Sequence, residues 1–382
     1  MLVWLADGTQ SVHSRKAVQV IEHPDGTRTP LIDASVHIFF SSNKELRSVL
    51  REPFKSRGFP DYEMDWYGAP GGEYAPKTRG PERQYPGSDP DFVGNELFSN
   101  RGVDVAVLHP MARGIMPDRH LGTALHAAHN EMMVSKWLEH SEFGDRFRGT
   151  IRVNPDDIAG SLKEIQKWRS HPRVVQIGVP LQSREVYGKP QFWPLWEAAA
   201  DAGLPVAAHI EVGSGIANPP TPNGNTRVYE HYVSFMALNY LYHQMNMIAE
   251  GVFERFPTLK FVWGDGAADF ITPFIWRMDT FGRPHLEQTP WAPKIPSDYL
   301  PGHIYFVQGS LDGPGDTDFA GEWFGFTGKD DMVMFGSSYP HWQCGDIHRL
   351  PKALSSEQRE KVCWRNAANL YGIDVSADLA AG

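Results

Sequence analysis

The chain has 382 residues, 46 acidic against 36 basic for a net charge of −10, with 41% hydrophobic and 21% charged residues. A chain of this make-up can bury a large core, and its acidity argues against a general nucleic-acid binder. No run approaches the roughly 18 apolar residues of a membrane span. The apolar start is too short for a signal segment, and two cysteines, Cys344 and Cys363, allow no disulfide framework, so a reduced, cytoplasmic protein is expected.

In chain order, residues 1–30 read as a small β-rich extension with turn signals at Asp7-Gly8 and Asp25-Gly26. A first strand-like run follows at Leu31–Phe39, then a long Pro/Gly/Tyr-rich loop over 41–93 and a short helix near Gly94–Asn100. Further apolar runs stand at Val103–His109, Phe147–Asn154, Val174–Pro180, Pro205–Ile210, Leu259–Asp265, His303–Gly309 and Met332–Tyr339. Each is rich in Val, Ile, Phe or Trp and closes on a turn former or a histidine. Between them the spacing predicts helices over His120–His140, Asp156–Ser170, Gln191–Ala202, Tyr229–Phe256, Asp269–Phe281 and Ser355–Asn369. Aspartate and serine stand where N-caps belong, and Gly203 ends the third of these helices.

Eight strands alternating with helices predict a parallel (β/α)8 barrel. A doubly wound sheet is disfavoured because no Gly-x-Gly-x-x-Gly turn follows the first strand. The expected organisation is an extension over 1–30, a barrel over 31–374 and a tail over 375–382. The loops at 41–93 and 211–228 both follow strands, the first and the fifth. They therefore belong to the C-terminal face, where barrels build their sites.

Several strand ends carry polar groups. In Asp33-Ala34-Ser35-Val36-His37 the alternation of a strand turns Ser35 and His37 the same way. His209 ends the fifth run with Glu211 after it, Asp265 ends the sixth, and Ser338 ends the eighth in Gly336-Ser337-Ser338-Tyr339-Pro340-His341. Imidazole and carboxylate suit Zn, Fe or Mn, whereas serine hydroxyls are poor ligands for a hydrolytic metal. His109, His126, His129, His243 and His341 read as structural, as do Trp66, Tyr67, Trp323 and Trp342. Neither cysteine has an activating neighbour.

The first-strand Ile-Asp-Ala-Ser-Val-His, the Pro-Leu-Trp-Glu-Ala-Ala stretch, Gly203-Leu204-Pro205-Val206 leading to His209, Gly251–Pro257, the Gly336–His341 segment and Asn366–Gly372 together resemble the amidohydrolase-2 branch, which includes aminocarboxymuconate semialdehyde decarboxylase relatives. The resemblance runs from about Leu31 to Gly372 and implies the barrel. It also implies four metal positions. His37 and His209 match two of them, while Ser35 and Ser338 stand where the family carries a first-strand ligand and the catalytic aspartate. The expectation is therefore at most one divalent ion (Zn, Fe or Mn) on His37 and His209, with Asp265 as a further candidate. No residue is singled out as catalytic.

Some members of that branch work as two-component assemblies, among them a hydroxylase of 2-aminoisobutyric acid. The resemblance thus implies a subunit with a degenerate metal site, partnered by a catalytic paralogue in a hetero-oligomer, or failing that a homodimer. The alternatives are a self-sufficient, divergent metal-dependent hydrolase or decarboxylase, with Glu211, Asp265, Asp269 and Asp312 in reserve, or a barrel that binds a small molecule without turnover. Neither a nucleic-acid nor a membrane partner is expected.

Overall fold

The computed structural model describes residues 28–57, 85–112, 116–209, 229–264, 268–282, 287–309, 317–341 and 350–375, with positions 74, 75, 78, 80 and 266. Eight parallel strands form one sheet in sequential order: β1 (Ile32–Ile38), β2 (Val105–Pro110), β3 (Phe147–Arg152), β4 (Val174–Pro180), β5 (Val206–His209), β6 (Phe261–Gly264), β7 (Ile304–Gln308) and β8 (Val333–Phe335). The sheet closes on itself through a parallel bridge between Val36 and Tyr339. There the His37 amide donates to the Tyr339 carbonyl at 2.8 Å and the Ser338 amide to the Ser35 carbonyl at 2.9 Å. With helices between the strands, this is the (β/α)8 barrel expected from the alternating pattern.

The helices are α1 (Asn43–Val49), α2 (Pro90–Gly94), α3 (Arg119–Met132), α4 (Ile158–Trp168), α5 (Trp193–Ala202), α6 (Tyr229–Ala249), α7 (Val252–Arg255), α8 (Ala268–Gly282), α9 (Phe319–Phe326), α10 (Ser356–Glu360) and α11 (Asn366–Tyr371). Their starts follow the capping rules: Asp118, Asp157 and Ser355 accept backbone N–H groups at the heads of α3, α4 and α10. Three readings of the sequence need correction. The stretch 41–93 is not all loop, since α1 lies within it and α2 begins there. The helix expected over Tyr229–Phe256 is two, because Gly251 sits at φ 70° between α6 and α7, a conformation that breaks the helix and suits glycine. The one expected over Ser355–Asn369 is α10 and α11 joined by a π-helical turn at Lys361–Arg365. Helix α9, apolar nearly all round and therefore without a readable period, was not foreseen.

Two layers of core result. The outer one packs helices onto the strands' outward faces, with Trp137, Trp196 and Trp263 fully buried. The inner one fills the barrel's N-terminal half with Ile32, Ala34, Val105, Val107, Val175, Ala207, Val262, Val307 and Met334. The C-terminal segment, through Ala367, Leu370, Tyr371, Ile373 and Val375, packs against this floor.

Register then changes in two strands. Between Asp33 and Val36, β1 carries one more residue than β2; between Val174 and Gln176, β4 carries one more than β3. A β-bulge reverses which side chains face inward. Ile32 pairs with Val105 below the bulge and His37 with His109 above it, and both pairs face the barrel interior although Ile32 and His37 differ in parity. Strict alternation from the floor would have put Val36 inside and His37 outside.

Among the described residues no helix is long and apolar enough to cross a membrane. Most of the expected N-terminal extension and all of the 211–228 insertion, with Glu211, lie outside the described residues, as do Trp66, Tyr67, Asp265, Asp312, Trp342 and Cys344.

Candidate functional site

The bulge in β1 builds the first wall. Ser35 falls in the stretch of β1 that has no register partner on β2, and the buried Asp33 carboxylate accepts from its amide at 3.2 Å. The same oxygen accepts from the Ser337 amide at 2.8 Å, tying β1 to the turn after β8. Burial pushes the Asp33 carboxyl up to about 6, against the pull of those Ser337 and Ser35 hydrogen bonds and of Arg101. Asp33 thus holds the bulge that aims Ser35 and His37.

At the mouth, His37 Nε2 lies 2.9 Å from His209 Nε2 and 3.1 Å from Ser35 Oγ. All three residues are about 1% exposed. His209 reaches this point because Gly264 on β6 leaves room: a Cβ there would stand 2.7 Å from His209 Cδ2. His109 packs against His209 with ring centres 5.0 Å apart and lies edge-on to His37 at 6.3 Å. His341 lies against His37 at 4.8 Å and stacks on Tyr74 at 5.4 Å. Four imidazoles therefore meet where the resemblance supplied two.

The geometry can be tested against a divalent ion. Two facing Nε2 atoms at 2.9 Å must share one proton or give both lone pairs to a cation. Imidazole nitrogens bound at about 2.0–2.1 Å to one ion stand roughly 3 Å apart, so the pair fits a shared ion. The remaining set is thin. Ser35 offers a hydroxyl, and no group of three or more His, Cys, Asp or Glu able to hold a metal occurs among the described residues. The residues fit one ion with open positions, not a two-metal centre.

Ser338 follows β8 in the turn, its φ at 55°, with its amide bonded to Ser35. The two serines for which the resemblance implies ligand positions are thus neighbours across the barrel's seam. The other candidates lie elsewhere: Asp269 pairs with Lys329 in a buried ion pair that Trp323 and Phe324 flank. His126, His129 and His243 are buried, His129 bonded to the Leu125 carbonyl and His243 to that of Leu181. Burial holds His129 and His243 down at about 4 and His126 well below the usual range, so all three are neutral. Cys363 is buried and its thiol is pushed up to about 12, which removes it as a nucleophile.

Sequence reasoning passed over His109, Gln176, Thr150 and the place of His341. The signal for His109 was present: Val105, Val107 and His109 alternate on one face of β2. Gln176 carried a weaker one, a lone amide inside Val-Val-Gln-Ile-Gly-Val-Pro, whose inward aim depends on the β4 bulge.

The model of the amidohydrolase-2 family, described as Amidohydrolase, matches residues 32–373. No curated protein sequence matches the chain significantly. Among solved structures, a dihydroxybenzoic acid decarboxylase from a Polaromonas species, with manganese and the inhibitor 2-nitroresorcinol bound, is 18% identical. It superposes with a TM-score of 0.64 over 92% of this chain and 99% of that one. A 5-carboxyvanillate decarboxylase from Novosphingobium aromaticivorans, complexed with manganese and 4-hydroxy-3-methoxy-5-nitrobenzoic acid, is 16% identical, with a TM-score of 0.63 over 94% and 100% of the two chains. The 2,6-dihydroxybenzoate decarboxylase from Rhizobium is likewise 16% identical, with a TM-score of 0.62 over 90% and 99%. At these identities the likeness establishes the shared barrel.

Proposed function

The chain belongs to the amidohydrolase family, and from that premise we propose that it is a single-metal enzyme of the decarboxylase kind, acting on a small aromatic carboxylate. The observation that carries this reading is the His37–His209 pair, 2.9 Å apart, with a hydroxyl instead of a carboxylate beside it. A divalent ion held by the two imidazoles would supply a Lewis acid for a substrate carboxylate or phenol oxygen. Hydrolysis would also need a base to take a proton from water; where the resemblance implies an aspartate for this there is Ser338, which is no such base, so that task too would fall to the mouth histidines. Decarboxylation asks for less. The bond to the carboxyl carbon breaks, its electron pair stays on the ring carbon, carbon dioxide leaves, and that carbon takes one proton. The histidines lining the mouth can hold and deliver that proton, while Ser35 Oγ can orient the substrate by hydrogen bonding. The manganese and the benzoate-like ligands of the similar structures support the choice of metal and substrate class.

The test is to load the purified chain with Mn(II) and supply a panel of hydroxybenzoates. Metal-dependent release of carbon dioxide, lost in His37→Ala, supports the reading. Hydrolysis of amides or lactones with no decarboxylation contradicts it. A second reading rests on Ser35 and Ser338: a chain lacking two ligands acts as the partner of a catalytic paralogue, in a metal-dependent hydroxylase for example. Co-purification of such a paralogue, with turnover only in the mixture, would favour it.

A further inference from the structure

Two buried glutamines stand on β4 and its continuation, and only one of them is satisfied. Gln176 turns into the barrel. Its Oε1 accepts from the hydroxyl of Tyr371, at the end of α11, at 3.0 Å. Its Nε2 lies 2.9 Å from Thr150 Oγ1 and 3.1 Å from His109 Nε2. Gln182 is as deeply buried, 2% exposed. Yet neither its Oε1 nor its Nε2 has a hydrogen-bond partner among the described residues. Turning the amide over would change nothing, because both atoms are unmet. A buried amide in this state costs stability, and such groups are rare in folded proteins.

The backbone shows where Gln182 is aimed. The ladder between β4 and β5 runs one residue past β4. The Ile177 amide donates to the Pro205 carbonyl at 2.9 Å, and the Leu181 amide to the His209 carbonyl at 2.7 Å. Ile177, Val179 and Leu181 all point outward into the core beneath the helices. Gln176 and Gly178 alternate with them, and Gln182 takes the next inward place beyond Pro180. It follows a residue bonded to His209, so it belongs to the mouth, on the wall that β3 and β4 share. The same wall carries a positive charge. Arg152, buried at the end of β3, is in register with Gly178. A Cβ on Gly178 would stand 2.5 Å from Arg152 Nη1 and 2.7 Å from Thr150 Cγ2, which sets both side chains on the inner face. Burial lowers the Arg152 guanidinium to about 9, so it stays charged at neutral pH.

The amide's own chemistry limits what it can recognise. A carboxylate only accepts; it could engage Nε2 but would set its charge against Oε1. An ammonium only donates, and Arg152 on the same wall disfavours a cation. A hydroxyl does both, and a phenolic oxygen is also electron-rich. We infer that Gln182 is a substrate-recognition residue that reads a hydroxyl group on the ring of the aromatic carboxylate. The ring and the carboxylate rest on the proposed function; the unmet amide does not.

The experiment uses the full-length protein and has two arms. In the first, the parent and Gln182→Met, which keeps the side chain's length and removes both polar atoms, are unfolded by heat without metal or ligand. Loss of an unmet amide should raise the midpoint by about 2 °C or more. A midpoint unchanged or lowered means that the amide is satisfied in the folded protein, and overturns the inference. In the second arm, isothermal titration calorimetry with Mn(II) present compares benzoate with 2-, 3- and 4-hydroxybenzoate. At least one hydroxybenzoate should bind the parent about tenfold more tightly than benzoate. In Gln182→Met that preference should fall below about threefold, while benzoate affinity stays within about threefold of the parent's. Gln182→Leu carries both arms should Gln182→Met fail to fold. A preference that survives in the variant overturns the inference. Benzoate and all three hydroxybenzoates binding the parent alike, with carbon dioxide still released, overturns it and leaves the proposed function standing. A hydroxyl preference that depends on Gln182, in protein that releases no carbon dioxide, does the reverse. Failure of all four acids to bind the parent overturns both.

Discussion

The floor and the mouth of the barrel are made by the same strands only a few residues apart, yet one is apolar and the other is lined by histidine, glutamine, threonine and serine. On the floor Ile32, Ala34, Val105, Val107, Val175 and Val262 fill the interior. Directly above, Ser35 and His37 follow Ala34, His109 follows Val107, and Gln176 follows Val175. In β2 the switch is a plain step along the strand. In β1 and β4 it requires an extra residue, and that residue reverses the alternation. The floor obeys packing alone and tolerates no polar atom without a partner. The mouth is polar because two bulges redirect side chains that an unbroken strand would have turned toward the helices.

If the two regions have separate duties, substitutions should separate stability from metal binding. Ile32→Ala in the floor should cost about 2–5 kcal/mol in denaturant unfolding, the range for a buried large-to-small change. The fraction that stays folded should bind Mn(II) as the parent does. His37→Ala should do the converse: a loss of at least roughly 100-fold in Mn(II) affinity, since even indirect support of a metal ligand is worth 10–100-fold, with a smaller effect on unfolding. A floor variant that loses metal while still folded would break the comparison.

Acid tests the shell around both regions. His129 and His243 are held neutral with pKa values of about 4, below the ordinary 6.5. The stability they confer is fully present above pH 6.5 and is lost as pH falls toward 4. A shift of that size corresponds to about 3 kcal/mol each. Asp33 works the other way: raised to about 6, it favours the folded state below pH 4 and costs stability as pH rises through 6. With His126 shifted in the same direction as the other two, the imidazoles prevail. Chemical unfolding between pH 7 and 4.5 should show falling stability; a rise would mean that the carboxylate dominates.

Gly264→Ala sharpens the boundary itself. Its methyl would meet His209 Cδ2 at 2.7 Å, a steric insertion worth about 1–3 kcal/mol, and it should weaken Mn(II) binding by moving the ring. A comparable effect is expected from Asp33→Asn, which keeps an acceptor for the Ser35 and Ser337 amides but cannot ionise. Its stability relative to the parent should improve by about 2 kcal/mol between pH 4 and 7, the window in which the raised carboxyl ionises. A flat difference would remove Asp33 from the pH account.

The fold was legible because each strand announces itself: eight runs of branched and aromatic residues end in turn formers, and α4 and α5 have clear caps. The site was legible only where a recognisable family pattern covered it, at Ser35, His37, His209 and Ser338. Parity within Ser35–His37 held because both residues lie above the bulge. Parity counted from Ile32 would have failed, and nothing in Asp-Ala-Ser-Val-His marks the extra residue. Gln176 and Tyr371 stayed hidden for a related reason. Their meeting depends on a register shift and on a C-terminal helix folding under the barrel, both long-range events with no local period.

The central claim is that the mouth holds one divalent ion, on His37 and His209. The most direct measurement is a Mn(II) binding isotherm on the purified chain, followed by electron paramagnetic resonance, for the parent, His37→Ala and His209→Ala. One ion per chain in the parent, with binding lost in both variants, is the result the account predicts. Two ions per chain, or binding that survives loss of either histidine, would contradict it.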